Sequence, residues 1–351
     1  MAMNSLIAPT PGGKILEMLQ GLSLITSESR ASFNKFVREL ESIISTYTAP
    51  PDNQHAAIET LQEKIGNSIG ALCFANGIDV AHEQLDMALM ALQFLADYVD
   101  TLIDKGSISH GAIADAYDLS SRTNDPLLNH LKELVHPVTQ DNNLVETFLS
   151  RWHQFITYQE ISNFPQSKYA VGLSQAYTEM GEPEVAIEER VLTENEYMAS
   201  LGGTTYLHNL LRVMFLQKEI EEETFNRVNI LFDLLNFLCD HVTDIPEDAD
   251  KATLEGAQLV SLSEMKANNA AHLIILEKVQ QNNGNYRDSL LKYFKDLITE
   301  VYDVVMHSDQ EIIQQLFKPM IMYFFRDNKP DMAFAEAILQ HIANLQVVKP
   351  I

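Results

Sequence analysis

Only two cysteines occur in 351 residues. Cys73 and Cys239 both stand in apolar stretches and read as buried free thiols, which excludes a disulfide scaffold and suits a reducing cytoplasm. Glycine (14) and proline (12) are scarce for this length, which argues against a turn-rich β architecture and for long uninterrupted helices. Positive charge is in deficit as well: 24 Lys and Arg face 49 Asp and Glu, a net charge of -25. Such a field repels duplex nucleic acid and anionic membrane surfaces, so nucleic acid is not expected as a partner. No apolar run reaches the length that spans a bilayer, and the start MAMNSLIAPTPGG has no basic segment ahead of an apolar core. The expectation is a soluble, cytoplasmic protein without stable membrane insertion; a homodimer is left open.

What is present is helical periodicity. Residues 1–14, with Pro9, Pro11, Gly12 and Gly13, read as a flexible arm, and 15–351 as one α-helical domain. Apolar residues recur at three and four through 56–75 (Ile58, Leu61, Ile65, Ile69, Leu72), after a break at TAPPDNQ (48–54). Asn76-Gly77 ends that helix. The segment 81–104 carries Leu85, Ala88, Leu89, Leu92, Leu95, Val99 and Leu102 on one stripe and closes at Lys105-Gly106. Further helices are predicted near 107–118, 125–136, 143–162, 167–180, 194–217, 222–245, 262–281, 285–307, 309–325 and 330–346. No alternating strand pattern competes, so the fold class is all-α, a single large helical bundle.

Two acidic clusters interrupt this apolar pattern. In FLADYVDTLIDKG (94–106), Asp97, Asp100 and Asp104 fall within about a 60° arc of one helix. Like charges at this spacing repel by a few tenths of a kcal/mol per pair, and acids near a helix C-terminus oppose its dipole. A purely structural helix avoids that arrangement unless Lys105 or a distant Arg pairs with it. In FDLLNFLCDHVTDIPEDAD (232–250), Asp233, Asn236, Asp240 and Asp244 share roughly an 80° stripe, with Glu247 and Asp248 just beyond Pro246. Carboxylates and an amide form an oxygen-only donor set, which suits a hard cation such as Mg²⁺. Zinc would want His or Cys, and Cys239 and His241 point away from the stripe.

The pair of clusters resembles the metal motifs of the class I isoprenoid synthases. DTLID (100–104) is similar to the DxxxD element of squalene and phytoene synthases, with Ile103 in place of their usual glutamate. DHVTDIPED (240–248) resembles their second motif, and DYVDTLID (97–104) taken with it looks closer still to bacterial large-terpene synthases. In another register Asn236, Asp240 and Asp244 match the spacing of the terpene-synthase metal triad; Asp240 and Asp244 belong to both.

The resemblance, over roughly 55–250, implies an isoprenoid-synthase bundle with a central active-site cavity. It also implies several Mg²⁺ ions bound by Asp97, Asp100, Asp104, Asn236, Asp240, Asp244 and Asp248. The substrate it implies is a prenyl diphosphate, ionised and cyclised with release of pyrophosphate, with Asp100, Asp104, Asp240 and Asp244 in the catalytic role. TENEYMASLGGTTY (193–206) looks like the segment in which these families break a helix against the substrate, at Gly202-Gly203; close helix packing there is the alternative. The arginine these enzymes place before that segment is missing from QAYTEMGEP. Arg190, Arg212, Arg227, Arg326 and Lys329 are candidates for diphosphate contact, with Arg326 preferred and Tyr323 one turn before it. Aromatic residues such as Phe94, Tyr98, Phe155, Tyr206 and Phe232 are candidates for a dry cavity wall. Head-to-head prenyl condensation and a catalytically inactive scaffold of the same fold are the alternative readings. A di-iron bundle needs a second Glu-x-x-His beside Glu133–His136, and Pro137 follows the one present.

Overall fold

The computed structural model describes residues 25–47, 51–78, 82–108, 110–139, 143–163, 204–236, 286–315, 337, 340–342 and 344–345. The expected arm over 1–14 lies outside them. The described residues are helical and contain no strand, as the missing period-2 alternation predicts. None of the described helices is long and apolar enough to cross a membrane. In chain order they are α1 (Ser27–Ser45), α2 (Pro51–Glu59), α3 (Ile65–Ala71), α4 (Glu83–Asp104), α5 (His110–Tyr117), α6 (Pro126–Thr139), α7 (Val145–Asn163) and α8 (Thr204–Leu216). Then come α9 over 222–236, α10 (Tyr286–His307) and α11 (Glu311–Gln314). They fall into two compact units, the first drawn from Met1–Ile156, Tyr206–Glu221 and Gln310–Asn328, the second from Thr157–Thr205, Glu222–Asp309 and Lys329–Ile351.

In the first unit α4 is the central element, packed most extensively on α6 and also on α1 and α3. Every residue from Leu85 to Ala96 is buried, because Met87, Met90, Ala91 and Phe94 fill the sides that the Leu stripe leaves. A helix apolar all round belongs in a core. Burying a side chain the size of Phe94 contributes about 2–3 kcal/mol. After Glu83 and Gln84 at its start, polar residues of α4 reach the surface again only in the C-terminal part, where Asp97 and Asp100 are half-exposed. The helix then stops in a Schellman turn: Ser107 N–H donates to Leu102 O (2.8 Å) and Gly106 N–H to Ile103 O (2.9 Å). Gly106 takes φ +64°, a conformation that glycine adopts without a Cβ clash.

The segment before α4 departs from the sequence expectation in two ways. Its helix starts at Pro51 rather than near 56, since a proline in the first turn lacks an N–H that would be unsatisfied anyway. Between α2 and α3 the chain widens into a π-helical turn, Thr60–Lys64, and a 3₁₀ turn, Leu72–Ala75, follows α3. Nothing in the apolar spacing signals that widening. The chain leaves the 3₁₀ turn through Asn76 and Gly77, as predicted. Likewise α6 runs to Thr139, carrying Pro137 in its last turn, three residues past the expected end.

The single tryptophan, Trp152 on α7, is buried against Tyr117, Phe148 and Phe155, and its indole N–H donates to Tyr117 O at 2.6 Å. Cys73 is a buried free thiol, as read from the sequence. In the second unit α10 buries Phe294, Leu297, Ile298, Val301, Tyr302 and Val305, one stripe at helical spacing. Its exposed flank carries the Arg227–Glu300 ion pair to α9, at 3.0 Å.

Candidate functional site

The acidic face of α4 meets the α2–π–α3 segment along a polar seam. Running up that segment, Glu59 pairs with Lys105, the Thr60 hydroxyl donates to Thr101 Oγ1 (3.0 Å), the Lys64 ammonium sits 2.6 Å from Asp100 Oδ2, and Asn67 Nδ2 donates to Asp97 Oδ1 (3.3 Å). Residue numbers rise on one side as they fall on the other, so the two segments run antiparallel. Gln93, one turn before Asp97 on α4, donates to the same Asp97 oxygen at 3.1 Å. The cation paired with Asp100 is Lys64, which the sequence reading did not single out. Lys105, the nearest candidate along the chain, is turned to Glu59 instead. The signal available in the sequence was a lone lysine inside an apolar helix, five residues after Glu59.

Of the residues expected to bind metal, Asp97 and Asp100 lie together on this face, and Asp104 is the last residue of α4. Asn236, half-buried, stands at the end of α9 in the second unit, with Asp233 buried one turn before it. Asp240, Asp244, Asp248, Gly202, Gly203, Tyr323 and Arg326 lie outside the described residues. Among the described residues no group of three or more His, Cys, Asp or Glu side chains gathers in metal-binding range. The carboxylates of Asp97 and Asp100 are oxygen donors of the hard kind that suits Mg²⁺, and Asp100 is paired with the Lys64 ammonium.

Arg212, a candidate for diphosphate contact, is wholly buried on α8. Its Nη1 donates to Phe74 O (2.7 Å) and Asn76 O (2.8 Å), and Nη2 to Gln315 Oε1 (3.2 Å). The guanidinium thus closes the carbonyl end of the Leu72–Ala75 turn, where a cation is favoured by the helix dipole. Burial pushes it down to about 10, so it stays charged at neutral pH. Arg227 is exposed and paired with Glu300.

Aromatic candidates for a cavity wall, Phe94, Tyr98, Phe155, Tyr206 and Phe232, are all buried. Tyr98 does more than pack, since its hydroxyl and that of Tyr47 donate to Asp125 Oδ2 (2.9 Å) and Oδ1 (2.6 Å) respectively. Asp125 in turn accepts from the N–H groups of Leu127 and Leu128, capping α6. Burial, then the Asp125 charge, push both phenols well above their ordinary range. Beside this network, past the end of α4, opens a cleft of about 810 Å³ lined by Asn53, Ser107, Asp115, Arg122, Asn124 and Asp125 among others. Its lining mixes these polar groups with Ile108, Ala112, Ala116 and Leu128, whereas a carbocation requires a dry apolar surface throughout.

No known family pattern and no curated protein matches this sequence.

Proposed function

We propose that the protein is a class I terpene synthase, ionising and cyclising a prenyl diphosphate with release of pyrophosphate. The observation that carries this reading is the placement of Asp97 and Asp100 together where the central helix emerges from the core. The core-buried stretch of α4 gives those carboxylates a rigid mount, which a metal-binding constellation needs. Asp97, Asp100 and Asp104 of the first motif would hold Mg²⁺, and Asn236, Asp240, Asp244 and Asp248 would do so in the second. When bound, Mg²⁺ supplies the positive charge that stabilises a departing diphosphate. In a chain of net charge -25, that is also how an anionic substrate is recruited. The bundle is read as enclosing a central apolar cavity in which the cation is kept from water.

A second reading is a catalytically inactive bundle of the same fold. It is favoured by the seam itself, which gives Asp97 and Asp100 protein partners without any metal. The deciding experiment incubates purified protein and Mg²⁺ with C10, C15, C20 and C25 prenyl diphosphates, measuring pyrophosphate release and extracting products for gas chromatography with mass detection. Metal-dependent release with a hydrocarbon or alcohol product is expected. A product of doubled carbon number reassigns the enzyme to head-to-head condensation, and no release at any chain length from folded protein sinks the enzyme reading.

A further inference from the structure

We infer that Lys64 is a tethered counter-ion which occupies the metal position on Asp100 until a divalent ion displaces it. The inference rests on the metal reading of Asp100 given above. The Lys64 nitrogen lies 2.6 Å from Asp100 Oδ2, and a bound Mg²⁺ or Mn²⁺ would sit about 2.1 Å from the same oxygen. Two cations sharing one oxygen repel, so the ammonium weakens metal binding there and the metal weakens the ion pair.

Three features make the lysine suited to leaving. Its side chain is 30% exposed and that of Asp100 42%, so water can solvate both once they part. A partly exposed Lys–carboxylate pair is weak, unlike the two-pronged grip of an arginine. Lys64 is also the last residue of the π turn between α2 and α3, and such turns recur at functional sites. The lysine has an evident purpose while the metal is absent. It neutralises one of two carboxylates that repel at helical spacing and that face the negative end of the α4 dipole.

The test is Mn²⁺ binding to the full chain without diphosphate, read from the electron paramagnetic resonance signal of free Mn²⁺. Lys64→Gln should tighten binding about two- to fivefold, the worth of a partly exposed ion pair. Lys64→Arg, which keeps the charge but grips Asp100 with two donors, should weaken it relative to wild type. Lys105→Gln removes an equal charge from the Glu59 end of the seam and serves as the control for long-range field alone. Equal tightening in Lys64→Gln and Lys105→Gln, or wild-type affinity in Lys64→Arg, overturns the inference. If wild-type binding disappears in Asp100→Asn while Lys64→Gln binds as wild type does, the metal reading stands and this inference alone fails. Absence of Mn²⁺ binding in both wild type and Lys64→Gln overturns both. Trp152 fluorescence confirms that each variant is folded.

Discussion

Arg212 on α8 donates to the carbonyl of Phe74, 138 residues earlier in the chain, at 2.7 Å, and to that of Asn76 at 2.8 Å. One guanidinium therefore ties the end of the Leu72–Ala75 turn to a helix distant in sequence. Arg212→Met keeps much of the volume but removes the donor that the guanidinium gives to the Phe74 and Asn76 carbonyls. It should cost about 2–3 kcal/mol, after allowing for the desolvation it relieves. Urea unfolding followed by Trp152 fluorescence measures it, and a change under about 0.5 kcal/mol would mean that water replaces the guanidinium at no loss.

Asp125 caps a helix and also accepts from the Tyr47 and Tyr98 phenols, so Asp125→Ala should be among the more damaging single changes, at about 3 kcal/mol. Tyr47→Phe and Tyr98→Phe should each cost less, about 1 kcal/mol, because each removes a donor while the carboxylate keeps its others. Additive losses in the double variant would show that the network does not act as a unit.

Asp86, on the first turn of α4, is buried, and burial pushes its carboxyl up to about 6 from an ordinary 3.8. His82, 3.5 Å from its Oδ1, offsets part of that cost. A raised carboxyl means that the folded chain binds this proton more readily than the unfolded chain between those two values. Stability from this group is therefore present at about pH 4 and is lost as the pH rises through about 6. Asp86→Asn, neutral throughout, should stabilise the protein at pH 7.5 by on the order of 1–3 kcal/mol and make little difference near pH 4. Urea midpoints at the two pH values decide it; a variant less stable at both would show that the charged form is held by its neighbours.

Gln217 closes α8 with φ 49°, in a left-handed conformation that disfavours any side chain, and its N–H donates to Met214 O. The position is exposed, so nothing packed is lost on shortening it. Gln217→Gly should stabilise the chain by about 1 kcal/mol, read as a rise in thermal midpoint.

Under the proposed function, Asp100→Ala and Asp240→Ala should each lower pyrophosphate release by about 100-fold or more while leaving Trp152 fluorescence unchanged. Retained turnover in both variants would remove the metal assignment.

How much of this was legible in the sequence varies with the physics involved. The existence of α4, its end at Lys105-Gly106 and the grouping of Asp97 with Asp100 follow from period and from glycine chemistry, which are local. The full burial of the middle of α4 does not, because Met87, Met90 and Ala91 look neutral until neighbouring helices cover them. Lys64 was missed for the same reason: its partner is 36 residues away, and only tertiary packing brings the two together. Arg212 is legible as a charge in an apolar helix, but whether such a charge meets substrate or backbone depends on which carbonyls end nearby. The second acidic motif, from Asp240 onward, lies outside the described residues.

The π turn at Thr60–Lys64 gives the polar seam an asymmetry of compliance. On one side, α4 is clamped along its buried stretch and can neither slide nor rotate without opening the core. On the other, a π turn contains one residue more than the α-helical turn it replaces, so the segment carries a residue of slack. Closing that turn would rotate everything beyond it by about 100°, which the buried Ile65, Ile69 and Phe74 and the Arg212 bond to the Phe74 carbonyl oppose. The seam thus joins a regular helix to a widened one, and the widened one bears the lysine.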